Sequence, residues 1–456
     1  MPLRLVDLSL ESHLLLGTVY ALTGAVLAFL IVPLLGVRQR AGLRFAISGV
    51  AAAAGAAVGL AAPYLLNAPA LFGVTLSTVI LCACAGAGAG LAVAIVNLIR
   101  SSWWRRALAI MAVPLIAVSS ALIINDDVGY YPTLGDALGL NQVGTLPVRN
   151  GKAVSLPQWR PSGPLPATGE VYRAAIPGTV SHFKARDAWI YLPPAARVAN
   201  PPRLPVVVML SGEPGDPSDP FYGGQIGALM DSVAAQHHGT APIVVSPDQL
   251  GKLTNNPMCV DSKLGNVRTY LMQDVRHWVL EHLPVETART GWTIAGFSEG
   301  GTCSIQLGAA YPTVFGSILD ISGELAPLNG SIAHTIKVGF GGSAAAYKAA
   351  SPLTILRAHK YVDTYAYFAV GALDTKYGPA TVTMAAAAKR AGMHVTTYRV
   401  PDYSHNWNTA EQALIWGVDE LTPRWHLPTG PFTSTSTGGG GPTLPTLKPG
   451  EKHHLK

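Results

Sequence analysis

Charge is what this chain has least of. Asp, Glu, Lys and Arg make up only 13% of its 456 residues, about half the share usual in soluble globular domains. With 49% hydrophobic residues and a mean hydropathy of +0.30, that scarcity fits a chain that is partly membrane and partly soluble. Its length exceeds one ordinary domain. Cysteine is also scarce: Cys82, Cys84, Cys259 and Cys303. No C-x-x-C pair and no Cys/His spacing suggests zinc. Basic residues outnumber acidic ones by 32 to 26, but no long basic run is interleaved with aromatics, so no nucleic-acid partner is expected.

Charge is most completely absent inside four apolar stretches, at 14–36, 45–66, 69–99 and 107–125. Each supplies about 20 apolar residues, enough for a helix to cross a ~30 Å hydrocarbon core. Four such runs with no polar face could not be shown to water as soluble helices. Residues 1–125 are therefore expected to form a four-span transmembrane domain with the lipid bilayer as partner. The leader of the first run holds Arg4 but also Asp7 and Glu11, which does not fit a cleaved signal peptide. The loop after the first span carries Arg38, Arg40 and Arg44, and the loop after the third carries Arg100, Arg105 and Arg106. The loop Asn67-Ala-Pro-Ala70 is uncharged, and the segment after the fourth span begins Asn125-Asp-Asp127. Arginines in cytoplasmic loops give an N-out, C-out arrangement in the plasma membrane, with everything after about residue 126 outside the cytoplasm. Trp103 and Trp104 suit an interfacial belt. No ionisable residue lies in the middle of a span, which argues against a transporter. Gly55, Gly59 and the Gly86/Gly88/Gly90 series are small-residue patterns for close helix packing, and Cys82 and Cys84 are expected to pack there too.

Residues 126–168, rich in Pro, Gly and polar residues, read as a connector. A regular alternation follows. Strands are expected at Glu170–Ile176, Ala188–Leu192, Pro205–Leu210, Ile243–Ser246, Trp292–Ala295, Ser317–Ile321, Thr364–Val370 and Val395–Val400. Helices are expected at Gly224–His237, Asn266–His282, Thr302–Ala310, Pro379–Ala391 and Asn408–Glu420. Buried strands separated by helices make residues 169–428 an α/β domain with a mainly parallel sheet and helices on both faces. From Thr429 the composition collapses into Thr, Ser, Gly and Pro, and residues 429–456 read as a disordered tail, His453 and His454 included.

One stretch organises the α/β domain. The apolar run Trp292–Ala295 leads into Gly296-Phe297-Ser298-Glu299-Gly300 and then a helix. A strand, a sharp turn and a helix form the context in which G-x-S-x-G makes a nucleophile elbow. Gly296 and Gly300 let strand and helix approach closely, and Ser298 is the candidate nucleophile. A serine needs a base, and the base an orienting acid. In the α/β-hydrolase fold they follow in the order acid, then His. His405 sits between the last expected strand and the last expected helix. His334, His359, His394 and His426 lack that position. Asp374, at the end of a late strand in Gly371-Ala-Leu-Asp-Thr375, is the candidate acid. Asp402 is the rival, although its place three residues before the base suits a turn former better. The oxyanion hole needs two backbone N–H groups: Glu299, following the nucleophile, and Glu213, in Ser211-Gly-Glu-Pro-Gly-Asp216 after a central strand. Cys259 and Cys303 remain in the half expected to face an oxidising compartment. They form either a disulfide or two buried thiols.

These residues resemble the esterase D family of α/β-hydrolases, in particular its mycolyltransferase-like (antigen 85-type) actinobacterial members. The matching stretches are 204–212, 266–275 leading to 295–302, Tyr311-Pro-Thr-Val-Phe315 with Asp320-Ile-Ser-Gly323, and His405-Asn-Trp407. The common His-Gly of the oxyanion loop is Ser211-Gly212 here, and four spans precede the domain. The resemblance implies a Ser298–Asp374–His405 triad, an oxyanion hole from Glu213 and Glu299, and carboxylester hydrolase, thioesterase or acyltransferase chemistry. The expectation is a membrane-anchored serine esterase acting through an acyl-enzyme on lipid-linked or glycolipid esters of the cell envelope, needing no cofactor or metal. The alternatives are an acyltransferase using a sugar or lipid hydroxyl, and a catalytically inactive envelope scaffold.

Overall fold

The computed structural model describes residues 5–32, 38–66, 76–141, 143–147, 153–253 and 255–429. The Asn67–Ala70 loop and the tail beyond Thr429 lie outside the described residues. Two compact units are present, Met1–Asn141 and Gln142–Lys456.

The first unit is built on α1 (His13–Ile31), α2 (Arg38–Leu65), α3 (Thr78–Arg100) and α4 (Trp103–Val128). Each contains a window long and apolar enough to cross a membrane. Leu30, Val93, Ala94, Ala109, Ala112 and Ile116 form its core. The small-residue patterns explain the closest pair. A Cβ on Gly55 would sit 2.2 Å from the Gly88 carbonyl oxygen, and one on Gly59 would sit 2.1 Å from that of Cys84. Gly86 and Cys82 depart from the expectation: no heavy atom lies within 4 Å of a Cβ built on Gly86, and Cys82 is exposed. They sit on a helix face that α2 does not cover. Arg105 also departs from its reading as a loop arginine. It lies in the first turn of α4 and is buried, donating to Asn97 Oδ1 (3.1 Å) and the carbonyl oxygens of Leu30 (2.5 Å) and Val32 (3.4 Å). Those carbonyls end α1, where the helix leaves acceptors unpaired and favours a cation.

The segment expected as a connector is used by both units. The fourth helix runs on to Val128, the Leu10 N–H donates to the Pro132 carbonyl oxygen, and the Leu134 N–H donates to that of Leu8. Beyond the boundary, β1 (Gly144–Thr145) begins the sheet.

That sheet continues with β2 (Glu170–Ala174), β3 (Ala188–Leu192), β4 (Val206–Leu210), β5 (Ile243–Ser246), a small hairpin of β6 (Asp261–Ser262) and β7 (Gly265–Asn266), then β8 (Trp292–Phe297), β9 (Ser317–Ile321), β10 (Tyr365–Gly371) and β11 (His394–Val400). The strand order is β1-β2-β3-β5-β4-β8-β9-β10-β11. From β5 to β11 all neighbours are parallel, and β3 pairs antiparallel with β2 and β5. The helices are α5 (Ile226–Gln236), α6 (Arg276–His282), α7 (Glu299–Ala310), α8 (Ile332–Gly339), α9 (Ala344–Ala350), α10 (Pro352–Ala358), α11 (Gly378–Ala391) and α12 (Trp407–Leu421). This is the α/β-hydrolase fold. Every residue of β4, β5, β8 and β9 is buried, as strands covered on both faces must be. Two features have no counterpart in the helices expected from sequence. The helices α8–α10 fill the stretch between β9 and β10, and the run 267–282 contains a π-helical turn, Tyr270–Val275.

Candidate active site

The carboxyl ends of β8, β10 and β11 bring the three predicted side chains together. Ser298 joins β8 to α7 with φ 59° and ψ −116°, a left-handed conformation that costs a non-glycine residue energy and is kept where surrounding structure enforces it. The enforcement is visible. The Ser298 N–H donates to the Ile321 carbonyl oxygen of β9 at 2.8 Å. A Cβ on Gly296 would lie 2.2 Å from the Gly300 oxygen, and one on Gly300 would lie 2.3 Å from that of Leu210. Only glycines let strand, turn and helix pass this closely.

His405 Nε2 is 2.9 Å from Ser298 Oγ, and His405 Nδ1 is 3.0 Å from Asp374 Oδ2. Asp374 is buried, and its other oxygen accepts the backbone N–H groups of Tyr377 (2.9 Å) and Lys376 (3.2 Å). The carboxylate is therefore oriented before it meets the imidazole. The His405 ring is stacked between Tyr377, centroids 4.1 Å apart, and Phe297, 4.9 Å apart. Its loop is fastened on both sides: Leu373 N–H donates to Tyr403 O, and Asn406 caps α12 by accepting from Thr409 N–H. Asp402 sits in this loop with φ 64°, the geometry of a turn former, and no contact joins it to the imidazole.

The loop after β4 lies against the nucleophile. A Cβ on Gly212 would be 3.4 Å from Ser298 Cβ. Gln249 supports that loop by donating to the Ser211 carbonyl oxygen at 2.7 Å. Arg186 ties it down further, reaching Asp216 Oδ2 (2.9 Å), the Gly215 oxygen (2.9 Å) and both oxygens of buried Asp248 (2.7 and 3.0 Å). This bidentate clamp was not expected from sequence, because its partners lie 30 and 62 residues away.

Cys259 and Cys303 are joined, with Cα atoms 5.7 Å apart. The bridge ties the loop before the β6–β7 hairpin to the first turn of α7. Glu299 packs against it: Oε1 lies 2.9 Å from Cys303 Sγ, while Oε2 accepts from Gln249 at 3.2 Å. Burial pushes the Glu299 carboxyl up to about 8, with nearby Glu213 and Glu324 adding to the rise. Burial lifts Glu324 to about 7 and raises Glu213, whose Oε2 accepts from Asn256 at 2.8 Å. The rise favours the neutral acid form of the Glu299 carboxyl, next to the nucleophile. The side-chain cluster went unseen in sequence because each Glu is isolated along the chain.

A Ser–His–Asp chain at an elbow on this sheet, with its Asp buried, defines a serine hydrolase of the α/β class. The chain belongs to the Esterase family, whose model matches residues 184–421. An uncharacterized protein of Corynebacterium glutamicum is 34% identical over 320 residues, covering 68% of this chain and 74% of the relative. Among solved structures, an S-formylglutathione hydrolase from Agrobacterium tumefaciens gives a TM-score of 0.49 at 16% identity, over 57% of this chain and 97% of that one. FphF, a fluorophosphonate-binding serine hydrolase of Staphylococcus aureus, gives 0.47 at 14%, over 56% and 98%.

Proposed function

We propose that this protein is a multi-pass membrane esterase whose hydrolase unit lies outside the cytoplasm and cleaves lipid-linked esters of the envelope. The carrying observation is the continuous chain Asp374–His405–Ser298, with bonds of 3.0 and 2.9 Å. His405 Nε2 takes the Ser298 proton as Oγ attacks the ester carbonyl, while Asp374 holds Nδ1–H and stabilises the imidazolium. The N–H of Glu299, at the start of α7, and that of Glu213 stabilise the tetrahedral oxyanion. Collapse expels the alcohol with the proton from His405, leaving an acyl-Ser298 ester that water cleaves by the reverse proton path. The positive-inside pattern supports the N-out, C-out orientation, and the Cys259–Cys303 bridge supports an oxidising compartment. Lipid substrates follow from tethering to a bilayer, and their classes are acylated lipids, acyl-trehalose-type glycolipids or aminoacyl esters of phosphatidylglycerol.

A fluorophosphonate probe should label the full-length protein in membranes, and Ser298→Ala should abolish the label. An unlabelled wild type would rule the enzyme reading out in favour of a scaffold. The motif resemblance to esterase D and antigen 85-type enzymes keeps transfer to a sugar or lipid hydroxyl as the second reading. Product analysis with and without an acceptor alcohol separates the two, and the lipid profile of a deletion strain carrying Ser298→Ala identifies the ester.

A further inference from the structure

A groove of about 490 Å³ runs between α1, α3 and α4, within the size range of ligand pockets. It extends along Tyr20–Leu27, Thr78–Ala87 and Ile116–Ile123. At 1.5 Å per residue that is about 10–14 Å, or roughly one leaflet of a bilayer. These segments lie at the start of α3, in the second half of α4 and in the middle of α1, where Thr23 is level with Ser119 of α4, so the groove opens in the half of the bundle in which α4 ends.

Its glycines differ from those at the helix contacts. Gly55, Gly59 and Gly88 are needed for backbone contact between helices, whereas nothing lies within 4 Å of a Cβ built on Gly24 or Gly86. These two glycines keep space open rather than bring helices together. The lining includes the aliphatic Leu27, Val79 and Ile116, with Tyr20, Thr78 and Ser120 also on it. Its buried hydroxyl pair is satisfied internally: Thr23 Oγ1 lies 2.7 Å from Ser119 Oγ and donates to the Val19 oxygen at 2.8 Å. A water column or an ion path needs polar partners facing the lumen; these hydroxyls are already paired. Hydrocarbon is the medium around membrane-spanning helices, and an apolar groove of one-leaflet depth matches one chain of it.

We infer that this groove binds one acyl chain of a membrane lipid from the leaflet in which α4 ends. This rests on the membrane-spanning reading of the bundle and is independent of the chemistry at Ser298.

The test uses the full-length protein in nanodiscs containing a phosphatidylglycerol with a diazirine-bearing acyl chain. After irradiation, cross-linked peptides are mapped by mass spectrometry. Cross-links should concentrate on α1 residues 20–27 and α3 residues 78–87. Gly86→Leu and Gly24→Leu each fill the groove from a different helix with a better helix former. Each should lower the groove cross-links roughly tenfold, the weight of about two buried methylenes. Gly17→Leu, on α1 but outside the groove and equally free of neighbours within 4 Å, should keep them. Cross-links spread evenly over the outward faces of all four helices would overturn the inference, as would groove cross-links unchanged in both filled variants. Release of the protein by carbonate wash would overturn both the inference and the membrane reading. Fluorophosphonate labelling, run on the same samples, reports on the esterase reading alone.

Discussion

The two units differ in where their apolar side chains face and in what their polar pairs hold. In the bundle, Thr23 and Asn97 turn back on their own helices, donating to Val19 O and Val93 O, and each also bonds across to a second helix, at Ser119 Oγ and Leu30 O. Leu14, Val50, Val58 and Ile110 face outward, as a surface meeting lipid would. In the hydrolase unit the aliphatic side chains of the central strands go inward, and buried polar groups bond across distant elements. Asp374 holds His405, Asp248 holds Arg186, and Asp274 accepts from Val180 and Ser181. In lipid a polar group cannot count on water, so every one must be paired within the bundle. A soluble fold can use polar pairing at long range to fix a site. Function should therefore be breakable by single polar changes in the second unit, and by single volume changes in the first.

The largest effect should come from Asp374→Asn. The shape is kept, but the acceptor that sets the His405 tautomer is lost. Esterase turnover should fall by about 10⁴-fold with the fold intact, measured as kcat on a short-chain ester alongside circular dichroism. Next comes removal of the bridge with Cys259→Ala and Cys303→Ala together. It closes a loop of sequence separation 44, so its loss should cost about 2–4 kcal/mol, read as a lower denaturation midpoint of the hydrolase transition. An unchanged midpoint would show that the crossing from the hairpin loop to α7 is held by packing alone.

Smaller again are two matched glycine substitutions. Gly300→Ala would place a Cβ 2.3 Å from Leu210 O, and Gly55→Ala one 2.2 Å from Gly88 O. Each should destabilise its own unit by about 1–3 kcal/mol. The first should also lower fluorophosphonate labelling of Ser298, while the second should lower the melting temperature of the bundle without altering the labelling rate at a temperature where both remain folded. Loss of labelling in Gly55→Ala under those conditions would contradict the independence of the two units' polar designs.

Much of the fold was legible because its signals are local. Apolar runs marked the four long helices, and G-x-S-x-G between a strand and a helix marked the elbow. Chain order and strand-end position led to Asp374 and His405. What escaped was non-local. Arg186 clamps residues far along the chain, and the antiparallel β2–β3 edge depends on a partner choice that alternation does not encode. The helices α8–α10 are short, and all three begin after a serine, with the side chains of Ser331 and Ser343 capping the first two, a signal that could have found them. Cys82 and Gly86 were misplaced for a related reason: a run of small residues does not say which helix face meets a neighbour.

The smallest effect concerns pH. Glu299, at about 8, and Asp320 and Glu324, each at about 7, are raised by burial. In the folded unit they keep protons that the unfolded chain releases near ordinary carboxyl values. Above those values the unfolded state binds fewer protons, so stability falls as pH rises, and each group stops contributing once pH passes its folded value. Between pH 5 and 7 all three contribute, and between 7 and 8 Glu299 alone of the three does, with a slope of at most about 1.4 kcal/mol per pH unit. Glu299→Gln keeps the size and the backbone N–H but removes the titration. The denaturation midpoint of the hydrolase unit should then flatten between pH 7 and 8 while its decline at lower pH persists in reduced form. If the variant and the wild type decline in parallel between pH 7 and 8, Glu299 is already ionised there, and an anion does follow the nucleophile.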